Sequence, residues 1–427
     1  MTDNERPGQK LGLLMCIALV MGNMIGSGVF LLPASLAPFG WNGVAGWAAT
    51  IAGALALAYV LARLTVHLPQ ARGPMGFVEH AFGRVPSFMI GWAYWVSVWT
   101  ANVTLAVASI SFLTVFFPSL GHYLAPATIA LIWIVAAINW RGARAAGRFQ
   151  IVTLAIKLLP LLAVLVLVPI VLSGLGPVEI APFPAEGLSF SAVGGAAILT
   201  LWALVGFESA SVACDKVDSP ATTIPRATMI GTAATGLLYL VVCSAVALML
   251  PADKVAGSDA PFALFVETYW AREPALFVAA FAAVSSLGTL NGWTLIQSEV
   301  TATLARRYMM PAAFARENRH GTPFVGLIVA SLLATGCILL NSSKSTSELF
   351  TYMATLSAAV TLWLYLACAV VALRLRVAAA VAAFGTLYAV WTLWGAGLGV
   401  SALSLVLMGA GLPLYWWTQR SAPSWRE

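Results

Sequence analysis

From residue 11 almost to the C-terminus the chain is a series of apolar runs, most of them about 20 residues long. A run of that length is what a helix needs to cross roughly 30 Å of hydrocarbon. Inside lipid every backbone N–H and C=O must find its partner within the protein, which leaves only helices and closed barrels. The runs lack the alternation of apolar and polar residues that barrel strands carry, so helices are expected. Composition agrees, with 60% of residues hydrophobic and 9% charged, against about 25% charged in a soluble domain. No aqueous fold could hide that much apolar surface.

Twelve spans are expected, over 11–38, 42–66, 84–117, 125–141, 148–174, 191–214, 225–250, 274–304, 322–341, 347–374, 377–396 and 399–418. Short loops and the lack of a low-complexity tail make 1–427 a single membrane domain. The first span follows the polar start Met1-Thr2-Asp3-Asn4-Glu5-Arg6 and is too long and poorly terminated for a cleaved signal peptide. An even count puts both termini on one side. These loops place 18 of the 22 Lys and Arg on that side, Lys254, Arg272 and Lys344 on the other, and Lys157 within the membrane. By the positive-inside rule both termini are cytoplasmic. The +6 net charge follows from the same bias and is no signal for nucleic acid. Five cysteines without metal-ligand spacing and four histidines in or beside loops suggest no metal or other cofactor.

Two spans carry polar, glycine-rich interruptions: Gly22-Asn23-Met24-Ile25-Gly26-Ser27-Gly28 in the first and Trp202-Ala203-Leu204-Val205-Gly206-Phe207-Glu208-Ser209 in the sixth. Such stretches destabilise a helix and expose backbone groups, which is tolerated only where protein or a hydrated cavity satisfies them. Interruptions five spans apart point to an inverted-repeat transporter with its substrate site at the midplane. A half-helix starting after Gly26 would aim N–H groups at an α-carboxylate. Unwound carbonyls near Gly206 would accept from an α-ammonium. The plainer alternative is that the glycines only let helices pack closely.

At these residues the chain resembles the amino acid–polyamine–organocation superfamily, and most closely its bacterial arginine/agmatine and ornithine/putrescine antiporters. The resemblance rests on Gly22 to Pro33, on Thr200 to Ser211, and on Gly292-Trp293-Thr294-Leu295, with weaker likeness over nearly the whole chain, including Gly321-Thr322-Pro323. It implies an all-α, LeuT-like core of two inverted five-helix repeats, here 11–174 and 191–376, two peripheral helices over 377–418, and sodium-independent alternating access. It assigns Asn23, Ile25, Ser27 and Gly28 to the substrate carboxylate, and the backbone near Trp202 and Val205 to its amine. Trp202 would gate the site, Trp293 would stack on a cationic side chain, Asn102 would bond that side chain's end, and Ser357 would line the site. Glu208 is implied as the proton-sensing carboxylate and Tyr94 as a second gating or coupling residue. A bacterial inner membrane, a small amino acid or polyamine as substrate, lipid as the surrounding partner and a homodimer are compatible with the same resemblance.

Lys157 in Ala155-Ile156-Lys157-Leu158-Leu159-Pro160 and the sequence Gly288-Thr289-Leu290-Asn291-Gly292 depart from the arginine antiporters toward neutral amino-acid relatives. There a span-five lysine stands in for sodium beside a span-eight hydroxyl, a role that would fall to Lys157 and Thr289. A static ammonium joining spans one, five and eight is the competing reading. For Glu208 the alternative is a permanently ionised helix cap and for Asn102 interhelical glue; Glu299 reads either as an inner vestibule charge or as an ion pair with a nearby base such as Arg226 or Arg306. The expected activity is exchange of an arginine-like amino acid for its decarboxylated amine. A proton-coupled neutral amino-acid permease or exporter is the second reading. A membrane enzyme would need a nucleophile with a positioned base, or a metal cluster, and neither is apparent.

Overall fold

A computed structural model describes residues 12–26, 28–71, 73–141, 157–174, 180–207 and 219–421. The described residues are overwhelmingly helical, with one isolated antiparallel bridge between Glu317 and Pro323. Seven helical stretches among them are long and apolar enough to cross a membrane, and six shorter apolar helices accompany them.

The first apolar run is two helices, α1 (Leu13–Met24) and α2 (Gly28–Leu36). They are followed by α3 (Trp41–His67), a short α4 (Gly73–Phe82), α5 (Arg84–Thr114) and α6 (Leu124–Trp140). Of the expected span 148–174, the described helix is α7 (Leu159–Leu172), and the residues before Lys157 lie outside the described set. Next come α8 (Phe190–Leu204), α9 (Pro220–Leu248), and two short helices, α10 (Ala252–Ala256) and α11 (Pro261–Tyr269), where the sequence suggests only a loop. The remainder is α12 (Arg272–Arg306), α13 (Phe324–Leu340), α14 (Thr346–Arg374), α15 (Ala379–Gly395), α16 (Leu398–Gly409) and α17 (Leu412–Ser421).

The expected run 399–418 is therefore two helices, and the reason is local. Trp92 lies against Gly411, where a Cβ would meet ring carbon Cδ2 at 2.5 Å, and its Nε1 donates to Leu407 O at 2.9 Å. Pro413 follows, and it has no N–H to continue the preceding turn. α14 starts on a reciprocal cap: Ser345 Oγ accepts from Glu348 N, and the Glu348 carboxylate accepts from Ser345 N at 2.9 Å.

α5 is buried along most of its length between α12 and α14. α6 and the α16–α17 stretch leave most of their residues only partly buried or exposed, as lipid-facing helices would. α12, at 35 residues, is about 52 Å long. It therefore overhangs the hydrocarbon, and its Arg307 end pairs with Glu79 of α4 at 2.7 Å, while Arg84 donates to Arg307 O at 2.8 Å.

Candidate functional site

Both interruptions are real breaks. At the first, α1 stops at Met24 and Ile25 takes φ −72°, ψ 82°, outside the helical region. Gly26 N turns back to Met24 O at 2.7 Å, and the chain re-enters a helix at Gly28. Two of the carbonyls exposed at the end of α1 have partners from elsewhere: Tyr239 donates to Met24 O at 3.0 Å, and Lys157 Nζ to Gly22 O at 3.5 Å. At the second break α8 stops at Leu204, Val205 is extended at φ −59°, ψ 137°, and Gly206 has φ +118°. Only glycine adopts that backbone without strain. Phe207 then stacks on Tyr365 with centroids 4.6 Å apart.

The breaks converge on one cavity of about 40 Å³. Met24, Gly26, Gly28 and Val29 line it from the first break, and Trp202, Ala203 and Val205 from the second. α5 adds Ser97, Ala101 and Leu105, α12 adds Thr289 and Trp293, and α14 adds Ser357 and Thr361. Trp202 is its lid. A Cβ on Gly28 would fall 1.8 Å from Trp202 Cζ3, so the ring rests directly on glycine backbone, and its edge packs against Phe350 at 5.5 Å. Gly26, also in the lining, lies against Thr289, whose methyl would meet a Cβ there at 3.2 Å.

The lining carries no charged side chain among the described residues. Its polarity comes from two sources. The N-terminus of α2 and the C-terminus of α8 meet here, one presenting N–H groups and the other carbonyls. The hydroxyls supply the rest: Ser97 donates to Tyr94 O at 2.7 Å, Ser357 to Ser97 O at 2.9 Å, Thr361 to Ser357 O at 2.9 Å and Thr289 to Ser285 O at 2.9 Å. A carbonyl can only accept, so each proton is committed to the backbone. What these four side chains have left for a ligand is oxygen lone pairs.

Among the residues singled out from sequence, Gly28, Trp202, Val205, Thr289, Trp293 and Ser357 are brought together around this cavity. Ile25 is buried in the break beside them. Ser27, Glu208 and the side chain of Asn23 lie outside the described residues. Lys157 is buried behind the first break on Gly22, and the Thr289 hydroxyl turns to Ser285 instead of toward it. Asn102 is buried one residue beyond Ala101 with its amide on Gln297 of α12, and Tyr94 is half-buried one turn before Ser97. Glu299 sits 3.9 Å from Arg306, one of the two partners considered for it, and Arg306 is closer to Glu317 at 2.6 Å. Ser97, Ala101, Leu105 and Thr361 were not singled out. Their spacing of four residues on α5, and of four from Ser357 on α14, is the signal that marks them once one member of each face is known.

The profile of a family described as amino acid permease matches residues 11–425. A cadaverine/lysine antiporter of Escherichia coli (strain K12) is 33% identical over 345 residues, covering 78% of this chain and 75% of the relative. The putrescine transporter PotE of the same strain is 28% identical over 433 residues, covering 96% of this chain and 97% of the relative. The PotE of Haemophilus influenzae (strain ATCC 51907 / DSM 11121 / KW20 / Rd) is 28% identical over 428 residues, covering 95% and 96%.

Proposed function

This chain belongs to the amino acid permease family, a family of multi-pass membrane transporters, and from that premise we infer that it is an antiporter exchanging a cationic amino acid for the amine left by its decarboxylation. The observation that carries this reading is the set of committed hydroxyls. Ser97, Ser357, Thr361 and Thr289 present acceptors to the cavity, beside the Trp293 ring. An alkylammonium brings three donors and a charge that an aromatic face attracts. A carboxylate or amide oxygen at the same place would meet only lone pairs.

The main-chain part of the substrate has its own partners. N–H groups at the start of α2 suit an α-carboxylate, and the carbonyls ending α8 suit an α-ammonium. A diamine lacks the carboxylate and binds through its two ammonium ends alone. At neutral pH a basic amino acid carries a net charge of about +1 and its diamine about +2. One-for-one exchange moves one positive charge toward the side that receives the diamine. A cavity of about 40 Å³ holds only about three waters, so substrate entry requires Trp202 to lift from Gly28. Trp202 is in that sense the gate. The two breaks, in spans of matching order, support alternating access by an inverted repeat, with both termini in the cytoplasm of a bacterium whose inner membrane holds the carrier.

Lys157 favours a second reading. Its ammonium sits on Gly22 O behind the first break, a fixed cation that would suit a neutral zwitterion better than a dication. Counterflow separates the two. Proteoliposomes loaded with unlabelled cadaverine, agmatine or leucine are given labelled lysine, arginine or leucine outside. A cationic exchanger takes up lysine or arginine only against internal amine. Leucine uptake without either cation overturns the first reading in favour of the second.

A further inference from the structure

α15 lies outside the two breaks, yet it is bound to the helix that carries Trp202. Tyr388 donates to Thr50 Oγ1 on α3 at 3.2 Å, and Thr50 Oγ1 lies 2.7 Å from Thr200 Oγ1 on α8. Thr50 also reaches Ala197 O at 3.1 Å, and Thr200 reaches Gly46 O at 3.4 Å. All three side chains are buried. The Tyr388 ring lies on Gly53, where a Cβ would be 2.3 Å from ring carbon Cγ, so it has no room to turn away.

The same three helices touch backbone to backbone. A Cβ on Gly395 of α15 would fall 2.3 Å from Gly194 C on α8, and one on Gly46 of α3 would fall 2.6 Å from the Ala196 Cβ. At its other end α8 is held by Phe190, packed between Trp391 and Trp394 at 5.4 and 5.7 Å. Close contact fixes how near the helices approach but leaves sliding along the small residues open. Hydrogen bonds between side chains are directional, and Thr200 is the residue at which they reach α8. It stands two positions before Trp202 and six before Gly206, in the last turns ahead of the break.

We propose that Tyr388, Thr50 and Thr200 are positioning residues for transport: their hydroxyl chain sets the height and rotation of the α8 end, and so the seat of Trp202 on Gly28. The proposal rests on the transport reading above. Loosening the chain populates arrangements in which the site is not assembled, and apparent affinity falls by the fraction that remains competent. Maximal exchange, reached when substrate reassembles the site, changes much less.

The test uses the full-length protein and four kinds of variant: Tyr388→Phe, which keeps the ring and removes the hydroxyl, Thr50→Val, Thr200→Val, and the corresponding serines. In lysine-for-cadaverine counterflow the phenylalanine and valine variants are expected to raise KM about three- to tenfold, the effect of one buried hydrogen bond. Maximal rate stays within about twofold, and the serines behave as wild type. A second arm needs no transported substrate. Thr361→Cys in the cavity is labelled with a membrane-impermeant methanethiosulfonate reagent, with and without Tyr388→Phe and against the parent as blank. The loosened lid is expected to speed labelling several-fold. An unchanged KM in an active protein, or unchanged labelling, overturns the proposal even if the melting temperature drops. Failure of the wild type to move any amino acid or amine overturns the transport reading instead, and the labelling arm still decides this one.

Discussion

Asn102 and Gln297 are joined side chain to side chain, Nδ2 of the first donating to Oε1 of the second at 2.7 Å, with both residues buried. The bond ties α5 to α12, the helices that supply Ser97 and Trp293 to the cavity. Asn102 is thereby a tie between helices. Gln297→Leu alone strands a buried amide and is expected to cost about 1–2 kcal/mol. Asn102→Leu with Gln297→Leu removes both polar ends and should recover more than half of that loss. Thermal unfolding in detergent measures it, and strictly additive losses would show that the two amides do not depend on each other.

Gly28→Ala puts a methyl where the Trp202 ring now lies, 1.8 Å from Cζ3. Neither the α2 backbone nor the ring can yield cheaply, and overpacking of this kind costs about 1–3 kcal/mol. Exchange is expected to fall at least about tenfold. Adding Trp202→Ala should restore the melting temperature without restoring exchange, because space returns but the lid does not. If the double variant transports at the wild-type rate, Trp202 is not the gate.

Ser357→Ala removes one of the four acceptor oxygens, while Ser97 O keeps the Thr100 hydroxyl as a donor at 3.0 Å. If the lost oxygen serves an ammonium, as proposed, competition by cadaverine should weaken by about three- to tenfold, while competition by leucine changes little. Equal weakening of both would mean that Ser357 shapes the cavity without choosing its charge.

Lys157→Ala takes the ammonium off Gly22 O, a buried carbonyl at the end of α1. The protein should still insert, since one less charge eases membrane entry, but exchange should drop about tenfold or more. Uptake at several pH values by purified protein checks this. An unaltered rate and pH profile removes Lys157 from the mechanism.

Glu208 carries the pH prediction made from sequence. Glu208→Gln holds the side chain permanently neutral, as a protonated carboxyl is, and is expected to flatten the dependence of exchange on external pH, with the largest rate difference on the alkaline side of the wild-type profile, where the native carboxylate is ionised. Initial rates of labelled uptake across pH 5 to 8 would show it, and an unchanged curve would assign Glu208 to capping.

Both breaks are legible in the chain because Asn23, Gly26 and Gly206 stand where a lipid-embedded helix would otherwise be apolar, and the backbone does leave the helix beside them. Trp293 and Ser357 are likewise legible, through the resemblance of their surroundings. Ser97, Thr361 and Gln297 are not. A helix's own period says which residues share a face, but which face meets which neighbour is decided by packing among many helices. The short α10 and α11 escape for another reason: five and nine residues hold too few turns for an apolar stripe to stand out from a loop. Tyr388 illustrates the same limit, since the glycine and the threonine it meets both lie on α3, far away in sequence.

The nearly dry chamber beneath Trp202 has a bearing on stoichiometry. With the lid down and nothing bound, the N–H groups at the start of α2 and the carbonyls ending α8 have few waters to satisfy them, and each buried backbone group left so costs about 1–3 kcal/mol. In the alternating access proposed above, the unloaded carrier would pass through that state to reverse its orientation, whereas a loaded one would pass with those groups occupied. A penalty of that size slows the empty return by orders of magnitude. For the exchanger proposed above, one-for-one coupling would then need no separate lock: the barrier to returning without cargo would enforce it.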